Sequence, residues 1–201
     1  GPLGKPVKAQ WRFQGDTAVI EMARASGLSI VGDAQHNDAV AASTTGTGEL
    51  IDKALDLGAR RIIVCLGGSA TTDGGLGAIR AIRSPARLKA VDFLIACDVT
   101  TQFVDAAVVF GPQKGATASQ VRLLTGRLER LVQMYRENYG VDVSKIEGTG
   151  AAGGLAGGLV ALGGKLIPGF EMVADEANLH DRVAQADLVI TGEGQIDHTS
   201  Y

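Results

Sequence analysis

Apolar positions along this chain of 201 residues fall into two patterns, short unbroken runs and longer stripes at helical spacing. Arg61 to Leu66 (Arg-Ile-Ile-Val-Cys-Leu) and Phe93 to Cys97 have no polar face, which predicts strands buried on both sides. Val7 to Phe13 and Thr17 to Met22 are strand-like pieces separated by Gly15-Asp16, a turn signal that predicts a hairpin. Asp187 to Thr191 predicts the last strand, running into a turn at Gly192-Glu193-Gly194. The helical stripes are equally plain. Val121, Leu124, Leu128, Leu131 and Tyr135 recur at spacings of three and four, predicting a long helix over Ala118 to Asn138 that Gly140 stops. Shorter helices are predicted over Glu49 to Leu57, Gly74 to Ile82 and Ala151 to Leu162, with Leu28 to Ala42 a polar loop.

Strands alternating with helices imply right-handed crossovers and an α/β fold, a mostly parallel sheet with helices on both faces. In such sheets ligands bind beyond the carboxyl ends of the strands. Three segments lie there by topology: Gly67 to Gly77, Asp98 to Thr101, and Gly192 to Asp197.

Composition narrows the function classes. The 45% hydrophobic and 20% charged content describes an ordinary globular protein, and a net charge of -3 provides no basic footprint for nucleic acid. No apolar run has membrane-spanning length and no signal peptide opens the chain, so neither a membrane nor export is expected. Gly1-Pro2-Leu3-Gly4 reads as a tag remnant without fold information. Cys65 and Cys97 sit inside apolar runs and read as buried free thiols of a reducing cytoplasm. The 28 glycines are clustered between elements, where a backbone turns sharply or approaches a ligand. Those inside Ala151 to Leu162 cost a helix roughly 0.5–1 kcal/mol each. Close packing on a sheet or backbone contact with a ligand must compensate.

Four segments could carry chemistry. Gly67-Gly68-Ser69-Ala70-Thr71-Thr72-Asp73-Gly74-Gly75 links a buried strand to a helix, so amide groups and the helix dipole favour an anion there. Ser69, Thr71 and Thr72 add hydroxyls. Asp73 either caps the helix or, beside an anion, binds a metal ion or accepts a hydroxyl proton. In Ser43-Thr44-Thr45-Gly46-Thr47-Gly48-Glu49, Thr47 is a candidate helix cap. Lys114, in a tight turn before the long helix, is either a solvated charge or a clamp for an anionic group. Glu193 and Asp197, four residues apart after the last strand, suit magnesium binding or proton abstraction, or are solvated loop acids. His36, His180 and His198 have no ligand spacing. Two decoys fall away. Gly148 to Gly153 matches a dinucleotide fingerprint, but Val141 to Glu147 makes a poor strand before it. Gly164-Lys165 is followed by Leu166 and lacks the upstream glycine of a phosphate-binding loop.

Seven stretches taken in order resemble the type I glycerate kinases: Thr17 to Ala23, Thr45 to Ile51, Gly67 to Gly75, Ala96 to Val99, Val109 to Gly115, Gly150 to Leu155 and Asp187 to Gly194. The resemblance implies an ATP- and Mg2+-dependent kinase that phosphorylates a hydroxyl of D-glycerate, usually yielding 2-phosphoglycerate, in the cytoplasm; a homodimer is compatible with it. It also implies one domain of a normally two-domain kinase. Residues 1–201 then form a single α/β domain like the inserted one, with 192–201 starting the connection to the other. In this setting Gly67, Gly68, Ser69, Thr71, Thr72, Thr47 and Lys114 would bind substrate or phosphate. Asp73, Glu193 and Asp197 would be catalytic, with Asp73 and Asp197 the metal ligands. The sequence looks shortened between Ile82 and Leu88 and around Gln102 to Ala106, and Thr72 stands where these kinases often have Asn. Nothing matches the Ser-Phe-Lys-Gly segment near the start of such kinases, so an isolated anion-binding domain without turnover is the alternative.

Overall fold

The computed structural model describes residues 1–192, and the chain divides into two compact units, Gly1–Gly169 and Phe170–Tyr201. The first unit is built on a five-stranded sheet in the order β1-β2-β3-β4-β5. Its strands are β1 (Arg12–Gln14), β2 (Thr17–Glu21), β3 (Arg61–Cys65), β4 (Asp92–Ala96) and β5 (Lys165–Ile167). The hairpin partner β1 runs antiparallel to β2, and every other pairing is parallel, with Ile62 opposite Phe93 and Val64 opposite Ile95. Ile62, Ile63 and Val64 are buried in succession, as are Phe93 to Ala96. Since successive side chains point to opposite faces of a strand, both faces of the sheet are covered.

Parallel strands need long crossovers, and helices supply them. Between β2 and β3 lie α1 (Ala23–Ser26), α2 (Leu28–Val31) and α3 (Thr45–Asp56); between β3 and β4 lie α4 (Leu76–Ala81) and a 3-10 turn, Pro85–Ala90. Between β4 and β5 lie α5 (Ala106–Phe110), α6 (Ala118–Tyr139) and α7 (Leu155–Ala161). The long helix α6 matches its sequence pattern. Thr117 and Gln120 form a reciprocal capping box at its start, Leu124, Leu128 and Tyr135 are buried, and Gly140 closes it at φ 72°.

Several elements differ from the sequence expectation. Helix α3 begins at Thr45 rather than Glu49, with Thr44 and not Thr47 at its N-cap. Gly48 is one reason: a Cβ there would overlap the backbone of Ala78, so α3 and α4 approach to a distance only a glycine face permits. Helix α7 begins at Leu155 rather than Ala151, because Ala152, Gly153 and Gly154 have φ of 52°, 69° and 86°, outside any right-handed helix. The glycines of this region meet other backbone closely. They receive the turn before α4: a Cβ at Gly153 would overlap the Thr71 carbonyl, and one at Gly154 would lie 2.8 Å from Gly74 Cα.

The edge strand β5 is too short, at three residues, to leave an apolar run. Part of the segment expected as loop forms α2, and β1 is shorter than its apolar pattern. Pro2 is buried and its carbonyl accepts from the Ser43 amide at 2.9 Å, so the opening residues do belong to the fold. At the stretch expected to be shortened, Arg83 binds Asp52 (Nε to Oδ2 2.6 Å) and Asp56, anchoring it to α3.

The second unit contains most of α8 (Gly169–Glu176) and α9 (Leu179–Ala184). Asp187 to Thr191 is not a strand, and Leu188 and Ile190 are 77% and 87% exposed. An apolar run forms a strand only where a neighbour supplies hydrogen bonds and cover. No strand pairs with it among the described residues. Among the described residues no helix is long and apolar enough to cross a membrane.

Candidate functional site

The ten residues between β3 and α4 form the longest excursion beyond a strand's carboxyl end in the Gly67 to Gly75 region. They are held from two sides. The Ser26 to Leu28 segment flanks their first half: Leu28 N–H donates to Gly68 O at 2.8 Å and Ala70 N–H to Ser26 O at 3.0 Å. The glycine-rich turn before α7 flanks the second half, with Gly74 N–H donating to Gly153 O at 3.0 Å. The buried Tyr135 hydroxyl donates to Gly74 O at 2.8 Å, and burial raises its pKa. The loop is therefore rigid before any ligand arrives.

An open cavity of about 390 Å³ lies at the carboxyl ends of β3 and β4. Gly67, Gly68 and Ser69 form one wall, Cys97, Asp98 and Val99 another, and Gln113 and Lys114 a third. Ala152, the lining residue with a left-handed φ of 52°, is strained in a way an alanine rarely tolerates, and such strain concentrates at functional sites. Two of the three segments expected to converge do so here. The third, Gly192 to Asp197, lies outside the described residues apart from Gly192, and with it Glu193 and Asp197.

Lys114 decides the character of this cavity. It closes a 3-10 turn, Pro112–Lys114, and Gly115 behind it at φ 89° lets the chain pass against Ala34. The side chain is 2% exposed, its ammonium donates to Thr71 O at 2.7 Å, and it lies 5.8 Å from the Phe110 ring centroid. Among the described residues no carboxylate forms an ion pair with it. Burial lowers its pKa from 10.5 to about 7, opposed by the charge of Asp73. A buried cation without a counter-ion is costly unless a ligand supplies one. Asn37 was not anticipated. Its amide donates to Ala70 O and Lys114 O, both at 2.9 Å, tying the two walls together from a segment whose polarity looked merely loop-like. Burial also pushes the Cys97 thiol up, away from the thiolate form.

The remaining predicted residues sit elsewhere. Thr71 and Thr72 are buried, and their hydroxyls have no hydrogen-bond partner among the described residues. Thr47 is buried and its hydroxyl meets Ser26 Oγ at 2.8 Å, a link between α3 and α1. Asp73 lines a separate hollow with Ser43, Thr45 and Arg80. Its Oδ2 accepts from Thr44 N (2.8 Å), Thr44 Oγ1 (2.9 Å) and Gly77 N (3.2 Å), and its Oδ1 from Gly75 N (3.1 Å). One carboxylate thus caps α4 and fixes the start of α3. Both oxygens accept hydrogen bonds from the chain, which is the capping arrangement the sequence offered beside the metal or base role. The helix dipole contributes little at the cavity, because α4 has only six residues and Asp73 occupies its first amides.

The model of the Glycerate kinase family matches residues 1–85 and 82–201. The chain belongs to the glycerate kinase family. The break in that match falls where the sequence looked shortened. The glycerate kinase of Halalkalibacterium halodurans is 42% identical over 231 residues, covering 98% of this chain and 60% of the relative. Glycerate 2-kinase of Escherichia coli is 39% identical over 234 residues, covering all of this chain and 61% of the relative. A crystal structure assigned to glycerate kinase 2 of Salmonella typhimurium LT2 superposes with a TM-score of 0.84 at 40% identity, over 98% of this chain and 62% of that one. The chain therefore spans about three-fifths of the length of these family members. The first two alignments run longer than its 201 residues, so those relatives carry extra residues within the matched stretch.

Proposed function

We propose that this chain carries the acid-binding part of an ATP-dependent kinase that phosphorylates D-glycerate, with 2-phosphoglycerate the expected product. The observation that supports this most is Lys114, a buried cation facing a cavity at the strand ends, with which no carboxylate among the described residues forms an ion pair. An anionic substrate group there completes the charge balance and is gripped in a low-dielectric site. Asn37 and the Thr71 carbonyl aim the ammonium; Asp73 acts as a positioning residue that keeps the loop's second half in place. Phosphoryl transfer depends on positioning and charge neutralisation more than on covalent chemistry by the protein. ATP is the expected donor. Magnesium is the expected companion of the nucleotide.

Coupled detection of ADP release with D-glycerate tests this reading. Turnover that disappears in Lys114→Met supports it. D-glycerate binding with no ADP release favours the second reading, a domain that binds a small anion and turns nothing over. Absence of both binding and turnover excludes the substrate.

A further inference from the structure

Lys114 enters the kinase reading as a cation, but the burial that exposes it to no counter-ion also favours its neutral amine, a form that reading does not use. The side chain is 2% exposed and lines the cavity at the carboxyl ends of β3 and β4. Its surroundings are largely apolar: Leu28 and Leu66 line the same space, and the Phe110 ring centroid lies 5.8 Å from Nζ. Among the described residues no carboxylate forms an ion pair with it, and Nζ donates to the Thr71 carbonyl at 2.7 Å. Desolvation therefore brings its pKa down to about 7, against the opposing charge of Asp73. A neutral amine keeps an N–H for the Thr71 carbonyl and still has a lone pair to offer. A desolvated lysine at a cavity is the arrangement that makes an amine attack carbonyl carbon. Lys53 and Lys89 are exposed, and an amine in water stays almost wholly protonated at neutral pH.

We infer that Lys114 is a covalent capture site for small 2-hydroxyaldehydes, held as an imine in the place of the acid substrate. This rests on the kinase reading above, which puts the substrate carboxylate at Lys114. An aldehyde in place of that carboxylate sets an electrophilic carbon beside Nζ. It also lacks the negative charge that favours the ammonium form. In the capture, the Nζ lone pair forms a bond to the aldehyde carbon, and one N–H proton moves to the carbonyl oxygen to give a carbinolamine. The new hydroxyl then leaves with the second N–H proton as water, and the C=N bond forms. No oxidant or reductant is consumed, and water reverses the reaction. While the imine stands, Lys114 cannot grip the acid, so such aldehydes block the site reversibly.

The test treats the folded whole chain with D-glyceraldehyde and cyanoborohydride at neutral pH, which fixes each imine as a stable secondary amine, and reads every lysine by peptide mapping. Binding of D-glycerate is measured on the same protein. Lys114 should be labelled roughly tenfold or more faster than Lys53 and Lys89, and saturating D-glycerate should suppress the labelling of Lys114 alone. Labelling of Lys114 no faster than that of the two exposed lysines overturns the capture site; if D-glycerate still binds, the kinase reading stands. Fast labelling that bound D-glycerate does not suppress overturns it as well, because the adduct then lies outside the place of the acid. Failure of the chain to bind D-glycerate at all removes the kinase reading and this inference with it.

Discussion

Lys114 shows how one residue couples site and stability. Its pKa falls from 10.5 unfolded to about 7 folded, so between those values the unfolded chain holds the extra proton. Stability should therefore rise with pH across that window and flatten below about 7, where both states are charged. Chemical denaturation of wild type and Lys114→Met across that range measures it; the slope should vanish in the variant, and the total effect is on the order of a few kcal/mol. A bound anion reverses the logic by favouring the charged form, so sulfate should stabilise wild type more at pH 6 than at pH 9. Asp73 belongs to the same scale. Removing it with Asp73→Ala leaves Thr44 N, Gly75 N and Gly77 N without their acceptor. The expected cost is about 2–4 kcal/mol by urea denaturation, and full stability would show that the cap is dispensable.

Among elements, the pairing of the turn before α4 with the turn before α7 explains why so many glycines sit in apparently helical sequence. Two backbones meet there without side chains between them. Gly153→Ala places a methyl on the Thr71 carbonyl and forces an alanine to φ 69°, so it should cost roughly 3 kcal/mol or more and lower the thermal midpoint accordingly. Gly140→Ala has the same sign of φ, at 72°, but meets nothing within 4 Å, so about 1 kcal/mol is expected. The difference between the two substitutions separates close packing from backbone conformation. How far these elements were legible depended on their neighbours. The periodic stripe of α6 and the run of β3 are written locally, and their bounds came out within a residue. The three-residue β5 exists only because β4 offers it a parallel edge, and the run at Asp187 to Thr191 stays outside any strand because no edge is offered among the described residues.

At the scale of the whole molecule, the first unit should respond to its ligand as one body. Its loop is tied to Ser26, Asn37, Lys114 and Gly153 from four separate segments, so filling the cavity stabilises all of them together. D-glycerate at a hundred times its dissociation constant should stabilise wild type by about 2.7 kcal/mol, read as a rise in thermal midpoint. Lys114→Met should show almost none of it. The exposed run in the second unit should behave oppositely. Ile190→Ser alters a side chain 87% exposed, and the stability of the chain should change by no more than about 0.5 kcal/mol.

The sequence by itself determined the α/β class, the long helix, the parallel strands that form the centre of the sheet and the glycine-rich segments at their carboxyl ends, because each is set by local periodicity or by a residue's own conformational range. It also carried the family likeness. Tertiary structure alone decided that Lys114 is buried rather than solvated and that Asn37 joins the site. It also separated Asp73, capping two helices, from Asp98, which faces the cavity. Burial and hydrogen-bond partners come from segments tens of residues apart, and no local pattern encodes which of them will meet.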